Sequence, residues 1–458
     1  MLITPDDSGY DEARKVWNGA IDRRPALIAR CRDSDDVVAA LRLADERGLA
    51  VAVRGGGHGV AGLAVCDDGL VVDLSPMKDI AVDPDRRTAR AGGGMLWGEL
   101  DAATQAHGLA TVGGIVTHTG IAGLTLGGGI GWLMRRHGAT VDNLLAARVV
   151  TPDGTVLDAD EELLWGLRGG GGNFGVVTAF EYRLHEVGPT VLAGPLYYAL
   201  EDGPEVLRHY RDFVATAPDE LTTILNLRPA PPLPMLPPEM HGRPVAAIAT
   251  CWAGDPEEGE AALAPLRAFG RPLVDLIGPR PYVDLQRMFD PAVPHGWHYH
   301  WKSWEVPPLT DAAIDTLVEQ ASRITSPRSY IIVFQLGGAM ARVGEHETAF
   351  GQRSEGHDVN INAVWLPDDP DAERHVAWTR ETFAALERHS AGRAYINFIA
   401  DEGQDRVRAA YGEERYERLA ALKREYDPEN VLRGNHNIEP AGWSGRARAA
   451  VVDVLEDA

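Results

Sequence analysis

Arg54-Gly55-Gly56-Gly57-His58-Gly59 sets one histidine among four glycines, and its reading decides the fold. The preceding run, Leu49-Ala50-Val51-Ala52-Val53, is short, apolar and partly β-branched, the pattern of a buried strand. A strand therefore delivers the chain into a glycine loop. Consecutive glycines let backbone N–H groups turn inward and approach a ligand closely, as phosphate-cradling loops do. Gly57-His58-Gly59-Val60-Ala61-Gly62 also matches G-x-G-x-x-G, but a Rossmann loop must open a helix, and residues 63–72 read as loop and strand. That context rejects the Rossmann reading.

Working outward, Ser34 is the expected N-cap of a helix ending at Gly48, within a mixed, largely helical stretch from residue 10. Further expected elements are a strand at 69–74, a helix at 95–107, a strand-turn-strand unit at 141–157 and a strand at 176–184. Two more glycine clusters lie at 120–131 and 169–175. Any one cluster reads as a crowded turn. Three together point to an extended anionic ligand lying across several loops.

Beyond Pro189 the character changes. A proline-dense loop at 229–238 is followed by strands at 245–252 and 330–336, alternating with helices at 310–323 and 371–389. This predicts a second, α+β domain. A charged helix from Tyr411 to Tyr426, closed by Asp427-Pro428, is expected to return to the first domain. The division is 1–190, 191–400 and 401–458.

The chain has 458 residues, 45% of them hydrophobic, enough for full cores. No apolar run approaches the roughly 18 residues of a membrane span, and the start turns acidic at once, unlike a signal peptide. A soluble, cytoplasmic protein is expected. The formal net charge of -23 argues against nucleic acid and anionic membranes as partners. Three scattered cysteines, Cys31, Cys66 and Cys251, suggest neither a disulfide framework nor a thiolate metal site. His295, His298 and His300 lack a carboxylate or cysteine pattern to complete a metal site, so no metal is expected.

The three glycine motifs, 54–59, 120–138 (GIAGLTLGGGIGWLMRRHG) and 164–175 (LWGLRGGGGNFG), resemble the flavin domain of the vanillyl-alcohol-oxidase / p-cresol-methylhydroxylase (PCMH) superfamily. Tyr426-Asp427-Pro428-Glu429-Asn430, Asn435 and Ile438-Glu439-Pro440 resemble its berberine-bridge-enzyme-like branch. The resemblance implies an α+β, two-domain flavoprotein. A PCMH-type FAD-binding domain would be joined to a substrate domain, an antiparallel sheet covered by helices. It also implies FAD bonded through His58 to the flavin 8α-methyl carbon, with the loop N–H groups on the pyrophosphate. A second, cysteinyl link has no counterpart, because Val116 stands at the cysteine position. The implied cofactor set is Arg54, Gly55, Gly56, Gly57, His58, Gly59, Thr117, His118, Thr119, Gly120, Gly123, Gly127, Gly128, Gly175, Val177, Asn397 and Asn435. His118 is equally a structural or a catalytic residue.

For the chemistry, Tyr395, in a Tyr-x-Asn motif, is the implied base or hydroxyl-orienting residue. Phe398 stands where relatives often have a second tyrosine. Thr119 stands where the resemblance implies a gatekeeper governing oxygen access, or simply fills space. Alternation puts Asp358, Asn360 and Asn362 on one strand face, toward substrate or toward solvent. Tyr330 and Gln335 are weaker candidates. Trp297, Tyr299, Trp301 and Trp304 form a pocket wall or a core cluster. The implied activity is oxidation of an alcohol or activated C–H of a small organic molecule, such as a sugar, an aromatic alcohol or a specialised-metabolite intermediate. Electrons pass to oxygen, and hydrogen peroxide is released. The alternative is an oxygenating or cyclising flavoenzyme. The expected partners are the small substrate and oxygen, in a monomer or homodimer.

Overall fold

The computed structural model describes residues 1–400 and 402–444. In it the glycine loop leaves Val51–Arg54, the last strand of a four-stranded sheet ordered Leu2–Ile3, Leu27–Arg30, Leu70–Asp73, Val51–Arg54. Val51–Arg54 and Leu27–Arg30 both run parallel to Leu70–Asp73, and the helix Ser34–Glu46 provides the crossover that parallel neighbours need. Asp33, not Ser34, caps this helix: its Oδ1 accepts from the Asp36 N–H at 2.9 Å, while the Ser34 hydroxyl meets Thr178. The strand Leu27–Arg30 replaces part of the stretch expected to be helical. A run of four residues, three of them buried in succession, carries no period that separates strand from helix.

A second, antiparallel sheet follows, ordered Ile80–Asp83, Thr88–Gly92, Val176–Arg183, Leu144–Val150, Val156–Asp158. The strands Leu144–Val150, Val156–Asp158 and Val176–Arg183 and the helix Trp97–Gln105 match the expected pattern, whereas Ile80–Asp83 and Thr88–Gly92 are not among the strands expected from the sequence. The loop after Leu221–Pro229 is also as expected, although Leu236 within it is buried.

The largest sheet has eight strands. Its continuous path runs Val274–Asp275, Thr190–Ala199, Pro244–Trp252, Leu221–Pro229, Tyr330–Gln335, His357–Trp365, His298–Val306, and Gly278–Pro281 pairs with Thr190–Ala199. Every pairing is antiparallel. Its central strands are buried on both faces. Ile331, Val333, Val359, Ile361 and Ala363 join a core with the helices Gly203–Val214, Pro256–Arg267, Asp311–Ser322 and Ala372–Glu387. Each of the Ile and Val side chains contributes about 1.5–3 kcal/mol by burial. Tyr330, Ile332 and Phe334 turn the other way, into the core shared with the glycine-rich body.

The expected helix at 411–426 is present as Glu413–Tyr426, and a further helix, Gln404–Tyr411, precedes it. Gln404–Tyr411 and Glu413–Tyr426 break at Gly412, whose φ of +74° favours glycine. The second helix returns to the first body. There fully buried Lys423 donates to Asp427 (2.6 Å), to the carbonyl of Asn173 (2.8 Å) and to that of Leu432 (3.0 Å). Asp401 and residues 445–458 of the expected C-terminal segment lie outside the described residues. Among the described residues no helix is long and apolar enough to cross a membrane.

Candidate active site

A cavity of about 350 Å³ lies between the glycine loops and the face of the large sheet that its helices leave uncovered. One wall is mostly backbone. Gly55, Gly56, Gly57 and Gly59 meet Gly120, Gly123 and Gly127, with Gly171, Gly172 and Gly175 beyond. Gly56 and Gly120 pass so closely that a Cβ on Gly56 would lie 2.4 Å from the Gly120 nitrogen. Side chains are sterically forbidden there, so the wall presents N–H and C=O groups.

The facing wall is aromatic and amide. Register places Tyr330, Asn362 and Trp301 side by side on three adjacent strands, with Asn360 opposite Ile332. The Nδ2 of Asn360, the Nε1 of Trp301 and the Oδ1 of Asn435 line this cavity or its rim, yet have no hydrogen-bond partner among the described residues. Buried polar atoms are almost always paired, so these three are positioned for a ligand.

His58 projects into the cavity from the glycine loop, half-buried. Its ring stacks on Trp17 at 4.2 Å and 16°, and Trp17 stacks in turn on Tyr299 at 3.7 Å. Its Nε2 lies 3.1 Å from Nδ1 of His118. Burial, reinforced by His118 and His295, holds the His58 pKa well below the usual imidazole range, so the ring is neutral at pH 7.

Tyr395 is buried on the far side of the cavity. Its phenol oxygen accepts from the Gly129 N–H (2.7 Å) and from Asn397 Nδ2 (2.8 Å), and Asn397 also donates to the Leu124 carbonyl (3.0 Å). Burial raises its pKa above the ordinary tyrosine value. The group is a neutral O–H donor at pH 7. Its two accepted hydrogen bonds aim it.

Several expected residues stand elsewhere. Asp358 is fully buried behind the cavity wall, where its carboxylate accepts from Gln352 Nε2 at 2.9 Å, and burial pushes its pKa up to about 7. It shares the face of Asn360 and Asn362 but lies at the end of the strand, past the cavity. Arg54 points away to pair with Asp73 at 2.8 Å. Thr117 is held by Asp290, His118 touches the cavity only through His58, and Gly128 packs on Phe350. Of the aromatic set only Trp301 reaches the cavity. Tyr299 backs Trp17, Trp297 sits by Arg328, and Trp304 stacks on Phe383 among the covering helices. Gln335 hydrogen-bonds Thr223. Sequence reading missed Trp17, Phe334, Gly434 and His436, which come to the site from distant segments without a local signal.

The remaining expected residues, from Thr119 and Val177 to Asn397 and Asn435, converge here. A backbone cradle ending at a neutral imidazole suits a long cofactor with a pyrophosphate and a reactive ring. Comparison with known proteins bears this out. Residues 25–160 match the FAD binding domain family, and residues 394–439 match the family described as berberine and berberine like. The (R)-6-hydroxynicotine oxidase of Paenarthrobacter nicotinovorans is 32% identical, covering 96% of this chain and 97% of its own. An FAD-linked oxidoreductase of Dictyostelium discoideum is 32% identical over 93% of this chain and 91% of its own. The crystal structure of 6-hydroxy-D-nicotine oxidase from Arthrobacter nicotinovorans superposes with a TM-score of 0.87 at 30% identity, covering 96% of this chain and 97% of that one.

The fold is thus that of an FAD-binding α+β oxidoreductase with a PCMH-type cofactor domain. The chain belongs to the berberine-bridge-enzyme-like family of FAD-linked oxidoreductases.

Proposed function

We propose that this enzyme is an oxidase that takes a hydride from an alcohol or activated C–H of a small organic molecule and passes the electrons to oxygen, releasing hydrogen peroxide. The observation that carries the reading is the convergence of His58, Thr119, Tyr395 and Asn360 on one cavity between the glycine cradle and the large sheet. The similarity to an enzyme named as an oxidase supports it. When bound, FAD accepts the hydride at its N5 and gives up the electrons to oxygen.

The residues divide the remaining work. The glycine loops bind the pyrophosphate through backbone N–H groups. Asn397 and the Gly129 N–H aim the Tyr395 hydroxyl, which donates to a substrate oxygen or nitrogen rather than removing a proton. Asn360 Nδ2 supplies a second donor, Asn362 and Trp301 shape the pocket beside it, and Thr119 lines the cavity at the gatekeeper place. FAD is held covalently through His58 alone, because Val116, also on the cavity wall, cannot form a thioether. The division into 1–190, 191–400 and 401–458 and the cytoplasmic location belong to the same reading.

The first test is to purify the protein, precipitate it with acid and map any flavin peptide, then measure peroxide against substrate consumed. A yellow pellet with flavin on His58 and stoichiometric peroxide supports the reading. Oxygen-18 in the product with little peroxide would move the enzyme to the oxygenating alternative. A colourless protein would overturn the reading.

A further inference from the structure

We propose that His118 is the proton acceptor that allows FAD to be attached at His58, and that His295 passes the proton to solvent. The inference rests on the covalent role of His58 argued above. The Nε2 of His58 faces Nδ1 of His118 at 3.1 Å. With the proton on His58 Nε2 and donated to His118, the His58 Nδ1 lone pair is left free as the nucleophile. The Trp17 ring, stacked at 4.2 Å, fixes the plane in which that lone pair points.

Beyond His118 the third ring follows directly. The centroids of His118 and His295 are 4.9 Å apart, those of His58 and His295 6.4 Å. The series runs outward, from half-buried His58 and His118 to exposed His295. His295 comes from the opposite body, so the relay is assembled only when the two bodies meet. A clamp holds it in register. The Thr117 N–H donates to Asp290 Oδ1 at 2.9 Å and the Thr117 hydroxyl to Oδ2, while Trp17 Nε1 donates to the Val293 carbonyl at 2.8 Å. Burial, reinforced by His295, holds the His118 pKa below the usual imidazole range, which keeps the ring neutral and able to accept a proton, and the Asp290 carboxylate partly opposes that shift.

Attachment needs such an acceptor. Overall, one hydrogen leaves the flavin 8α-methyl, one leaves the His58 imidazole, and one C–N bond forms. The two electrons and two protons released reduce dioxygen to hydrogen peroxide. Alkylation of Nδ1 with Nε2 still protonated would leave an imidazolium in a site whose burial disfavours charge. Transfer of the Nε2 proton to His118 avoids that charge on His58.

The test reads tethering rather than turnover. Wild type, H118A and H118Q are expressed, the flavin fluorescence of denatured protein in gels is followed over time, and flavin peptides are mapped by mass spectrometry. Loss of a positioned proton acceptor slows a step by roughly 10²–10⁴-fold. The expected result is yellow H118A and H118Q proteins whose FAD is released by acid, with tethering slowed about a hundredfold or more and partly restored in H118A by added imidazole. Tethering at the wild-type rate in H118A overturns the proposal while leaving the His58 link intact. Loss of FAD binding in both variants also counts against it, since His118 would then serve retention rather than attachment. Release of all flavin from wild type by acid overturns the covalent reading itself, and this proposal with it.

Discussion

Substituting Gly56 by alanine tests the cradle where its geometry is tightest. The added Cβ would lie 2.4 Å from the Gly120 nitrogen and 2.5 Å from its Cα, and 3.4 Å is where ordinary contact begins. The two loops must therefore part by about 1.0 Å (3.4 − 2.4). Both sides of the contact are backbone, so no side chain can swing aside to absorb the change. Overpacking of this kind costs about 1–3 kcal/mol, and a rigid backbone contact belongs near the top of that range. At about 2–4 °C per kcal/mol for a body of 150–250 residues, a cost of about 2–3 kcal/mol should lower the apparent Tm by roughly 4–12 °C. Gly59 is the control: it lines the same cavity, but an added Cβ there meets no protein atom within 4 Å. Differential scanning calorimetry and FAD content of G56A and G59A separate two effects. G56A should lose stability and cofactor together, whereas G59A should keep its stability and alter only FAD loading. A G56A protein melting with wild type would refute the close-approach reasoning.

Three further predictions follow from the buried polar groups. Lys423→Met strands the Asp427 carboxylate without its cation, and losing one partner of a buried pair costs about 3–5 kcal/mol, measurable as a lower urea midpoint. Tyr395→Phe leaves the Gly129 N–H and Asn397 Nδ2 without their shared acceptor, costing about 1–3 kcal/mol of stability as well as turnover. Because burial raises the Tyr395 pKa, the wild-type rate profile between pH 6 and 9 should show no inflection lost in that variant. Asp358 binds its proton more tightly folded than unfolded. Its stabilisation is complete below its ordinary pKa of 3.8, falls as pH rises, and is lost above about 7. That interval corresponds to about 4 kcal/mol. Asp358→Asn should therefore flatten the stability profile from pH 4 to 7 and melt above wild type at pH 8. Identical pH dependence in the two proteins would show that Asp358 titrates normally.

What was legible in the chain was local. Glycine density at 54–59, 120–131 and 169–175 marks backbone that must approach something closely, and that requirement is written residue by residue because only glycine satisfies it. The alternation in 357–365 separated Asp358, Asn360 and Asn362 from Val359, Ile361 and Ala363 for the same reason: side-chain direction in a strand depends only on position. The motifs also carried the family resemblance.

Tertiary structure decided what those faces meet. Asn360 and Asn362 line a cavity because Tyr330–Gln335 and His298–Val306 flank their strand and the cradle lies over it, and Asp358, on the same face, passes beyond the edge of that cavity. Trp301 and Trp304 look alike in sequence, yet three residues' separation in a strand sends one to the cavity and the other beneath a helix. The partners of His58 come from positions 17, 118 and 295. The sequence by itself determined the glycine loops, most of the longer strands and helices, and which face of a strand such as 357–365 is polar, since those follow from the side chains of near neighbours, but not short strands such as Leu27–Arg30. Only the packed structure decided that Tyr395 is buried with its hydroxyl accepting two hydrogen bonds, and that His58 has a histidine beside it. Burial and partners set both properties, and apart from Asn397 beside Tyr395 they are supplied by residues far away along the chain.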